Sequence, residues 1–317
     1  MTKLVSVVIP FYQREIGILS NALASLEKQT VPAGWHLEVI VVDDGSPVSG
    51  RSEIEAGNFS ARIDVHLIEK ENGGVASARN AGLQRTFSRS DAVAFLDSDD
   101  TWPETFLERA IAVWEAGYDF YFTDNVRTSE HPSNIQLCAK TANYLLAAQS
   151  VDGIVDISAD KMTAFCIEEF PCQLSTVFYR SVAAPGILFA EHLTAAGEDL
   201  LFVSELLSRM KKVAFDEAHH VICGDGVNIY YGNLNWDSPK FLNIKIDQLL
   251  AHRALKRRVS LSSENGKLNS YIHRKLLADV RYHLVRSAIK RPASFKSGLA
   301  RIARSDALAL LSVAIGI

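Results

Sequence analysis

The feature that most constrains this chain is a series of short apolar runs, each of which ends abruptly in polar residues. Residues 4–9, 37–42 and 92–96 are the clearest runs, and β-branched residues dominate the first two. Nearly continuous apolar runs of this length are typical of strands buried on both faces of a parallel sheet. The chain is therefore expected to build its core around such a sheet, with polar residues gathered where the strands end.

Segments with a helical period separate these runs. Apolar residues recur every three or four positions in 16–29, and 74–87 is also predicted to be helical, with a further strand at 62–69 between them. Pro103 is predicted to open the next helix. Strands that alternate with helices predict an α/β fold with right-handed crossovers and a Rossmann-like, mostly parallel central sheet.

The second half of the chain is patterned less regularly. Strands are expected there at 118–123, 176–180 and 212–222, and a helix is expected at 198–209. Almost everything after Pro239 is helical in character, and no internal repeat is present. This division predicts two parts, a domain at 1–238 and a helical C-terminal extension at 239–317.

The composition argues against several classes of protein. A formal net charge of −4 over 317 residues gives no reason to expect a nucleic-acid partner. The four cysteines lack the paired spacing of a zinc site or a disulfide framework, which favours a reduced, cytoplasmic setting. The first apolar run is too short for a signal peptide, and no stretch approaches the ~18 consecutive apolar residues of a membrane span.

Acidic residues cluster at two of the strand ends, in Asp43-Asp-Gly-Ser46 and Asp97-Ser-Asp-Asp100. Ligands of an open parallel sheet bind just past the carboxyl ends of its strands, so these clusters are expected to meet. Two carboxylates one residue apart suit Mg²⁺ or Mn²⁺, which prefer oxygen ligands and accept carboxylates together with substrate phosphates. Each cluster alone also fits a turn or a helix cap, but their convergence favours a ligand site.

Four motifs in a fixed order resemble those of the inverting family 2 glycosyltransferases, which have the GT-A fold. They are Val7-Val-Ile-Pro-Phe-Tyr12, Val41-Val-Asp-Asp-Gly-Ser46, Asn72-Gly-Gly74 with Ala78-Arg-Asn-Ala-Gly82, and Phe95-Leu-Asp-Ser-Asp-Asp100. The resemblance extends from residue 4 to about residue 236 and is thin after that. It implies a GT-A fold and the transfer of a sugar from a nucleotide-activated donor with inversion.

The resemblance implies a nucleotide site built on the first three motifs. The backbone around Pro10 and Tyr12, with the carboxylate of Asp44, would hold the base of the nucleotide. The segment before the third motif's helix would leave the backbone open to close approach of the donor, as glycine allows. Its residues are Asn72, Gly73 and Gly74.

The remaining motif residues would bind the phosphates and a metal ion. The resemblance places Arg79 near the nucleotide or its phosphates, where a guanidinium suits the chemistry. Asp97 would contact the ribose or the metal, and Asp99 would ligate Mg²⁺ or Mn²⁺. Family members commonly carry a metal-binding histidine later in the chain. Asp225 stands at the matching position here, which predicts either a second oxygen ligand or a turn aspartate that bonds to its own backbone.

An inverting transfer needs a base that takes the proton of the acceptor hydroxyl, whereas a metal can stabilise the departing diphosphate. The pair Glu198-Asp199, at the start of a predicted helix, is similar to the family's Glu-Asp signature, in which the second acid is the base. Asp199 is therefore the candidate base, with Glu198 supporting it or touching the acceptor. The alternative is that Asp199 merely caps its helix.

Aromatic and hydroxyl side chains near these motifs are expected to line the sugar and acceptor sites. The residues are Trp102, Ser175 and Thr176. Aromatic faces suit the C–H surfaces of sugars, but a lone tryptophan is more often part of a core.

A basic segment lies near the C-terminus. From 280 to 305 the chain has seven lysines or arginines and no acidic residue, with apolar residues interleaved. The basic residues are Arg281, Arg286, Lys290, Arg291, Lys296, Arg301 and Arg304. One interpretation is a surface helix that lies on anionic lipid. The other is a helical face that packs on the rest of the chain or on a second copy in a homo-oligomer.

Together these observations predict a metal-dependent inverting hexosyltransferase. The opening motif and the length resemble bacterial exopolysaccharide glucosyltransferases of the succinoglycan type. That resemblance implies a UDP-sugar donor, glucose, a β linkage and a saccharide or lipid-linked oligosaccharide acceptor at the inner membrane face. A sugar-nucleotide nucleotidyltransferase is an alternative, although it would normally carry a glycine-rich loop after the first strand. A non-catalytic sugar-nucleotide binding protein is another, although it would be expected to lack the acids at 99 or 199.

Overall fold

A computed structural model describes residues 2–61, 63–127, 132–224 and 239–315. Within these residues nine strands form one sheet. The strands are β1 Lys3–Phe11, β2 Trp35–Asp43, β3 Asp64–Glu69, β4 Ala92–Phe95, β5 Phe120–Val126, β6 Ser150–Val151, β7 Ile154–Ser158, β8 Val177–Arg180 and β9 Lys212–Ile222.

The described part of the chain also forms twelve α-helices. They are α1 Ile18–Glu27, α2 Gly50–Ala56, α3 Val75–Thr86, α4 Phe106–Glu115, α5 Asn134–Leu137, α6 Ala139–Ala147, α7 Ala159–Glu168, α8 Glu198–Leu207, α9 Pro239–Arg258, α10 Ser263–Lys290, α11 Pro292–Ser305 and α12 Ala307–Ile315. The helix predicted to open at Pro103 begins three residues later. The Pro103 carbonyl instead accepts the Phe106 N–H in a turn at 3.1 Å.

The sheet is parallel where the predicted motifs lie. Its order is β3-β2-β1-β4-β8-β5-β9-β7-β6, and β3, β2, β1 and β4 run parallel to one another. β8 runs antiparallel to both of its neighbours, whereas β5 and β9 are parallel. The predicted mostly parallel central sheet is confirmed. Its geometry brings the carboxyl ends of β1, β2 and β4 to one edge.

The central strands are buried on both faces, as the sequence predicted. Along β1, Val7 and Ile9 pack into the hydrophobic cluster under α1 and α4, whereas Val8 packs into the cluster on the opposite face. The cluster that contains Val8 also contains residues of the C-terminal helices, including Ile246 and Val280. The extension therefore shares a core with the sheet. The boundary predicted near residue 238 lies outside the described residues.

The basic C-terminal segment divides into two environments. Leu284 and Ile302 are buried in the core, and Phe295 and Leu299 pack against it, so α11 follows the packing interpretation. Ile289 of α10, in contrast, is 80% exposed. Among the described helices, none combines the length and the apolar character needed to cross a membrane.

Candidate active site

A cleft of about 850 Å³ opens at the edge of the sheet where β1, β2 and β4 end. It gathers residues from distant parts of the sequence, and ten of them are predicted site residues. Those predicted residues are Pro10, Tyr12, Asp44, Asn72, Gly74, Arg79, Asp97, Asp99, Glu198 and Asp199. The convergence expected of parallel strands is therefore present, and the pair at 198–199 joins it.

Side-chain hydrogen bonds tie the three strand ends together. The backbone N–H of Gln13, after β1, donates to Ser46 Oγ at 2.9 Å, and Gln13 Nε2 donates to Ser98 Oγ at 3.1 Å. Asp43 completes the turn after β2, because its carboxylate accepts from the N–H groups of Ser46 and Gly50 at 2.8 and 2.9 Å. Of the acidic pair at 43–44, the first residue is thus structural.

The second residue of that pair, Asp44, organises the glycine segment. Its Oδ1 accepts from Lys70 Nζ at 2.6 Å and from the Gly73 N–H at 3.0 Å, and its Oδ2 accepts from the Gly74 N–H at 2.8 Å. Asn72 Nδ2 donates to the Asp44 carbonyl at 2.8 Å. Gly74 has φ 89°, in a region that favours glycine, at the point where α3 begins. The Asn-Gly-Gly segment therefore forms a wall fixed by Asp44.

Three aspartates follow β4, and they face two different ways. Asp97 and Asp99 line the cleft. Asp100 also borders the cleft but is almost fully buried, where it accepts from Gln173 Nε2 at 2.9 Å and from the Gly224 N–H at 3.0 Å. Burial, and then the charges of Asp97 and Asp99, raise the pKa of Asp100 to about 7.

This donor set fits a hard divalent cation. Closely spaced carboxylates at the mouth of a cleft are the ligands that Mg²⁺ and Mn²⁺ prefer. After burial, the charges of Asp97 and Asp99 also contribute to the raised pKa of Asp100, and a bound cation would relieve that repulsion. Asp225 lies outside the described residues. Gly224, which precedes it, lies against Asp99, where an added Cβ would come within 2.1 Å of the Asp99 carbonyl oxygen.

Arg79 bridges Asp97, which follows β4, and Asp199 of the Glu-Asp pair. Its Nη2 donates to Asp97 Oδ1 at 2.8 Å, and its Nη1 donates to Asp199 Oδ1 at 2.9 Å. The guanidinium is buried and stands 5.4 Å from the ring centre of Phe189. Burial opposes its charge, but the carboxylates of Asp199 and Asp97 outweigh burial and raise the pKa of Arg79 further. The Arg79 guanidinium therefore pairs with two carboxylates that are 102 residues apart in the sequence.

Glu198 and Asp199 open α8 from a loop that ends at Gly197. Gly197 is the N-cap and has φ 87°, and no side chain caps the helix. Asp199 is therefore not the capping residue. Its carboxylate instead accepts a hydrogen bond from Arg79 Nη1. Burial raises the pKa of Asp199 despite the opposing charge of Arg79. Burial and the charge of Asp199 raise the pKa of Glu198 to about 8.

Three predicted wall residues lie beneath the cleft instead. Trp102 is buried against Phe106, with ring centres 4.1 Å apart, and its indole N–H donates to the Ser175 carbonyl at 2.7 Å. Ser175 and Thr176 sit in a buried turn before β8, and Ser175 Oγ accepts from the Asp97 N–H at 2.9 Å. The prediction that these residues line the sugar site was wrong, because their side chains support the motif from the core side.

Other residues complete the cleft without having been predicted. Lys70 follows β3 and supports the cleft indirectly, because its ammonium pairs with Asp44, and the strand-end rule would have found this position. The remaining wall comes from α7, α9, α10 and the turn before β8. Its members include Ile167, Phe170, Gln173, Gln248, His252, Ile272 and Leu276. Contributions from the C-terminal helices had no sequence signal, because each is a single residue on a packed helix.

A second group of possible metal ligands lies elsewhere. Glu38, Asp64 and His66 come together among the described residues, near the start of β2 and β3. Glu38 is six residues before Asp44, which places it roughly 20 Å from the cleft at ~3.3 Å per residue. Arg89 Nη2 also lies 3.2 Å from Glu38 Oε2. Arg89 therefore already pairs with the buried Glu38 carboxylate. Because the group also lies away from the cleft, it takes no part in the site there.

The sequence relationships agree with the geometry. The sequence model described as "Glycosyl transferase family 2" matches residues 6–165. The succinoglycan biosynthesis protein ExoW of Rhizobium meliloti (strain 1021) is 31% identical in an alignment of 263 residues that covers 79% of this chain and 77% of that protein. The region that the family model matches includes every strand-end motif.

Solved structures show the same fold. The crystal structure of S. aureus TarS 1–349 in complex with UDP-GlcNAc superposes with a TM-score of 0.63 at 18% identity, over 98% of this chain and 87% of that one. The mannosyltransferase PcManGT from Pyrobaculum calidifontis, in complex with GDP-Man and Mn²⁺, gives a TM-score of 0.57 at 15% identity, over 98% and 79%. With its GT-A fold, its ordered motifs and its matching relatives, this chain belongs to glycosyl transferase family 2.

Proposed function

We propose that this chain transfers a sugar from a UDP-sugar to a saccharide or lipid-linked oligosaccharide, with inversion, in exopolysaccharide synthesis. The observation that carries the proposal is the Arg79 bridge, because it sets Asp199 beside the residues proposed to hold the donor. The relatives support the donor class, since one was solved with UDP-GlcNAc. The proposal of glucose as the sugar and of a β linkage rests on the resemblance to succinoglycan-type enzymes. The relative ExoW is a succinoglycan biosynthesis protein.

In the proposed reaction, an acceptor hydroxyl oxygen attacks the anomeric carbon of the donor in line. The bond between that carbon and the diphosphate oxygen breaks, and UDP leaves with the bonding electrons. The hydroxyl proton moves to the carboxylate of Asp199. Arg79 keeps that carboxylate oriented. Its charge also opposes the rise in the pKa of Asp199 that burial causes. Glu198, whose pKa is raised, is placed to hydrogen-bond the acceptor as a neutral acid.

The donor would lie along the strand ends. The backbone at Pro10 and Tyr12 and the wall fixed by Asp44 are proposed to hold the uridine, with Asp97 near the ribose. Asp99, together with Asp225, would hold Mg²⁺ or Mn²⁺. When bound, that ion would neutralise charge on the departing diphosphate. Arg79 contacts Asp97 in the structure, and we propose that it also faces the phosphates.

A product assay tests this function against its alternatives. The full chain is incubated with a panel of UDP-sugars, Mn²⁺ and oligosaccharide or polyprenyl-linked acceptors, and UDP and pyrophosphate are both measured. We expect UDP release that an acceptor stimulates. Release of pyrophosphate from a sugar phosphate and UTP would indicate a nucleotidyltransferase instead, and binding without turnover would indicate a non-catalytic binder.

We also propose that α10 contacts the inner face of an anionic membrane. Tyr282, Val285 and Ile289 lie one helical turn apart, and between 57% and 80% of each residue is exposed. We call this set the α10 stripe. Arg281 and Lys290 are exposed beside it, so apolar and basic groups share one surface. Such a surface suits the headgroup region of anionic lipid, which would bring the cleft to a lipid-linked acceptor.

A further inference from the structure

The loop that precedes the candidate base rests on the C-terminal helices. The Ala195 N–H donates to Asp247 Oδ2 of α9 at 2.8 Å. Two residues later, Gly197 lies so close to α9 that an added Cβ would come within 2.6 Å of Ala251 Cβ. Because Gly197 offers no side-chain cap, the direction of the first turn of α8 depends on this loop.

A buried ion pair fixes the loop to a third helix. Asp247 is fully buried, and its carboxylate accepts from Arg301 Nε of α11 at 2.6 Å and from Arg301 Nη2. Arg301 Nη2 also donates to Thr194 Oγ1 at 2.8 Å. Both members of the pair therefore bind the loop directly, one through a backbone N–H and the other through a hydroxyl.

This arrangement does more than packing requires. A buried ion pair is weak evidence for stability, since apolar residues of the same volume often serve as well or better. Directed hydrogen bonds to Thr194 and Ala195, in contrast, specify where the loop lies. Asp247 is also followed by Gln248, which lines the cleft, so the same turn of α9 borders the site.

We infer that Asp247 and Arg301 are positioning residues for the base: they hold the loop 194–197 and thereby place Asp199 for proton transfer. The inference rests on the proposed function, in which Asp199 is the base. It also assigns Arg301 to packing against the rest of the chain, one of the two environments that the sequence pattern left open for the basic segment. Proton transfer is sensitive to such placement, because a misplacement of ~1 Å can cost about 10²-fold in rate.

The test removes the pair without leaving an unpaired charge. The double variant Asp247→Leu/Arg301→Met deletes both charges and both loop contacts, and it should remain folded. We expect kcat for acceptor-dependent UDP release to fall about tenfold or more, while KM for the donor stays within about twofold. Amide hydrogen exchange over residues 193–200 should quicken, because the Ala195 N–H loses its acceptor. Arg301→Lys, which keeps the charge, should recover part of kcat.

A second ion pair provides the matched control. Arg253 Nε of α9 donates to Asp306 at 2.7 Å, and the two pairs are similarly buried, with side-chain exposure of 21% and 6% against 22% and 0%. Asp306 also accepts from Arg257 Nη1 at 2.6 Å and from the N–H groups of Leu308 and Ala309, so this pair joins α9 to the start of α12. The variant Arg253→Met/Asp306→Leu should leave kcat and the exchange of residues 193–200 unchanged, even where it lowers the melting temperature.

Each outcome decides the inference. Wild-type kcat in Asp247→Leu/Arg301→Met overturns it, as does a loss of kcat without faster exchange at 193–200. Equal losses of kcat in the control pair also overturn it, because they would indicate a general effect of stability. If the wild-type protein transfers no sugar from any donor, the proposed function fails. The exchange measurement still shows whether the pair holds the loop, since it needs no substrate.

Discussion

The two sides of the cleft are built in different ways. On the side of the strand ends, the proposed nucleotide side, residues 10–100 supply most of their groups at or just after the end of a parallel strand, and Arg79 comes from α3. Hydrogen bonds such as those of Gln13 join neighbouring strand ends. On the acceptor side, residues 167–276 approach from helices and a turn, and the base depends on contacts across three helices. The comparison teaches that strand topology places the proposed donor site, whereas helix packing places the proposed base. Arg79 hydrogen-bonds to a carboxylate on each side.

The largest expected effect separates chemistry from donor binding. Asp199→Asn removes the proton acceptor on the acceptor side while leaving the nucleotide side intact. Loss of a general base typically costs ~10²–10⁴ in rate, so kcat should fall by that factor and the Kd for UDP should change only a few-fold. Steady-state kinetics and calorimetric titration measure the two quantities.

Glu205→Gln is the matched control for that substitution. Glu205 lies on the same helix and pairs with Arg258 Nε at 2.6 Å, away from the cleft. Its replacement should leave kcat unchanged. Transfer by Asp199→Asn near the wild-type rate would remove Asp199 from the mechanism and, with it, the distinction between the two sides.

The next effect belongs to the nucleotide side. Asp99→Ala should weaken Mn²⁺ binding in the presence of UDP and reduce transfer about 10²-fold, since a catalytic metal supplies several kcal/mol of charge stabilisation. Chelation of the metal should reduce wild-type transfer to the same level. Asp225→Ala, titrated in parallel, should also bind Mn²⁺ more weakly. Unchanged Mn²⁺ affinity in Asp225→Ala would leave Asp225 as a turn residue, and unchanged affinity in both variants would place the metal elsewhere.

Substitution of Arg79 probes the connection between the sides. The charge of Arg79 lowers the pKa of Asp199, so Arg79→Met should raise that pKa further. Because the base must be deprotonated, the acid limb of kcat/KM should move to higher pH when this close opposite charge is lost. Arg79→Lys keeps the charge and should move the limb less. An acid limb that stays in place in Arg79→Met, with UDP binding retained, would show that the two sides are not coupled through this residue.

The smallest expected effect lies outside the cleft. Lys290→Gln, beside the α10 stripe, should weaken binding to anionic liposomes about fivefold, because one basic residue at such a surface contributes ~1 kcal/mol. Lys267→Gln makes the same charge change near the start of α10, roughly 35 Å away at ~1.5 Å per residue, and should have little effect. Equal weakening in both variants, measured by sedimentation, would indicate a diffuse charge effect and not a lipid-facing stripe.

The two sides also differ in how far sequence could predict them. The nucleotide side follows from local rules, since apolar strands of a parallel sheet bring their ends together wherever the helices between them lie. What those rules miss is orientation. Asp44 turned out to be held by Lys70 and two glycine N–H groups, and Trp102 turned inward to stack on Phe106. These side-chain orientations depend on neighbours in space, which the spacing of residues in the sequence does not reveal.

The acceptor side was predictable only at the Glu-Asp pair, which a motif identified. Its supports were not, because Asp247 and Arg301 are single polar residues on otherwise ordinary helices, 54 positions apart. Periodicity left Arg301 undecided, since a basic residue in this segment fitted either a lipid-facing surface or a face packed on the rest of the chain. The structure shows that one such residue neutralises a fully buried carboxylate.

The stereochemistry of the product tests the central claim most directly, since a single base and in-line attack require inversion. The reaction of wild-type protein with an α-linked UDP-sugar and an acceptor is followed by proton NMR, and the anomeric coupling constant of the first product formed is measured. We predict a β-configured glycoside together with an equal amount of UDP, and neither should form in Asp199→Asn at a comparable rate. An α-configured product would contradict the account, because retention requires a different arrangement of catalytic groups from the one that Asp199 and Arg79 provide.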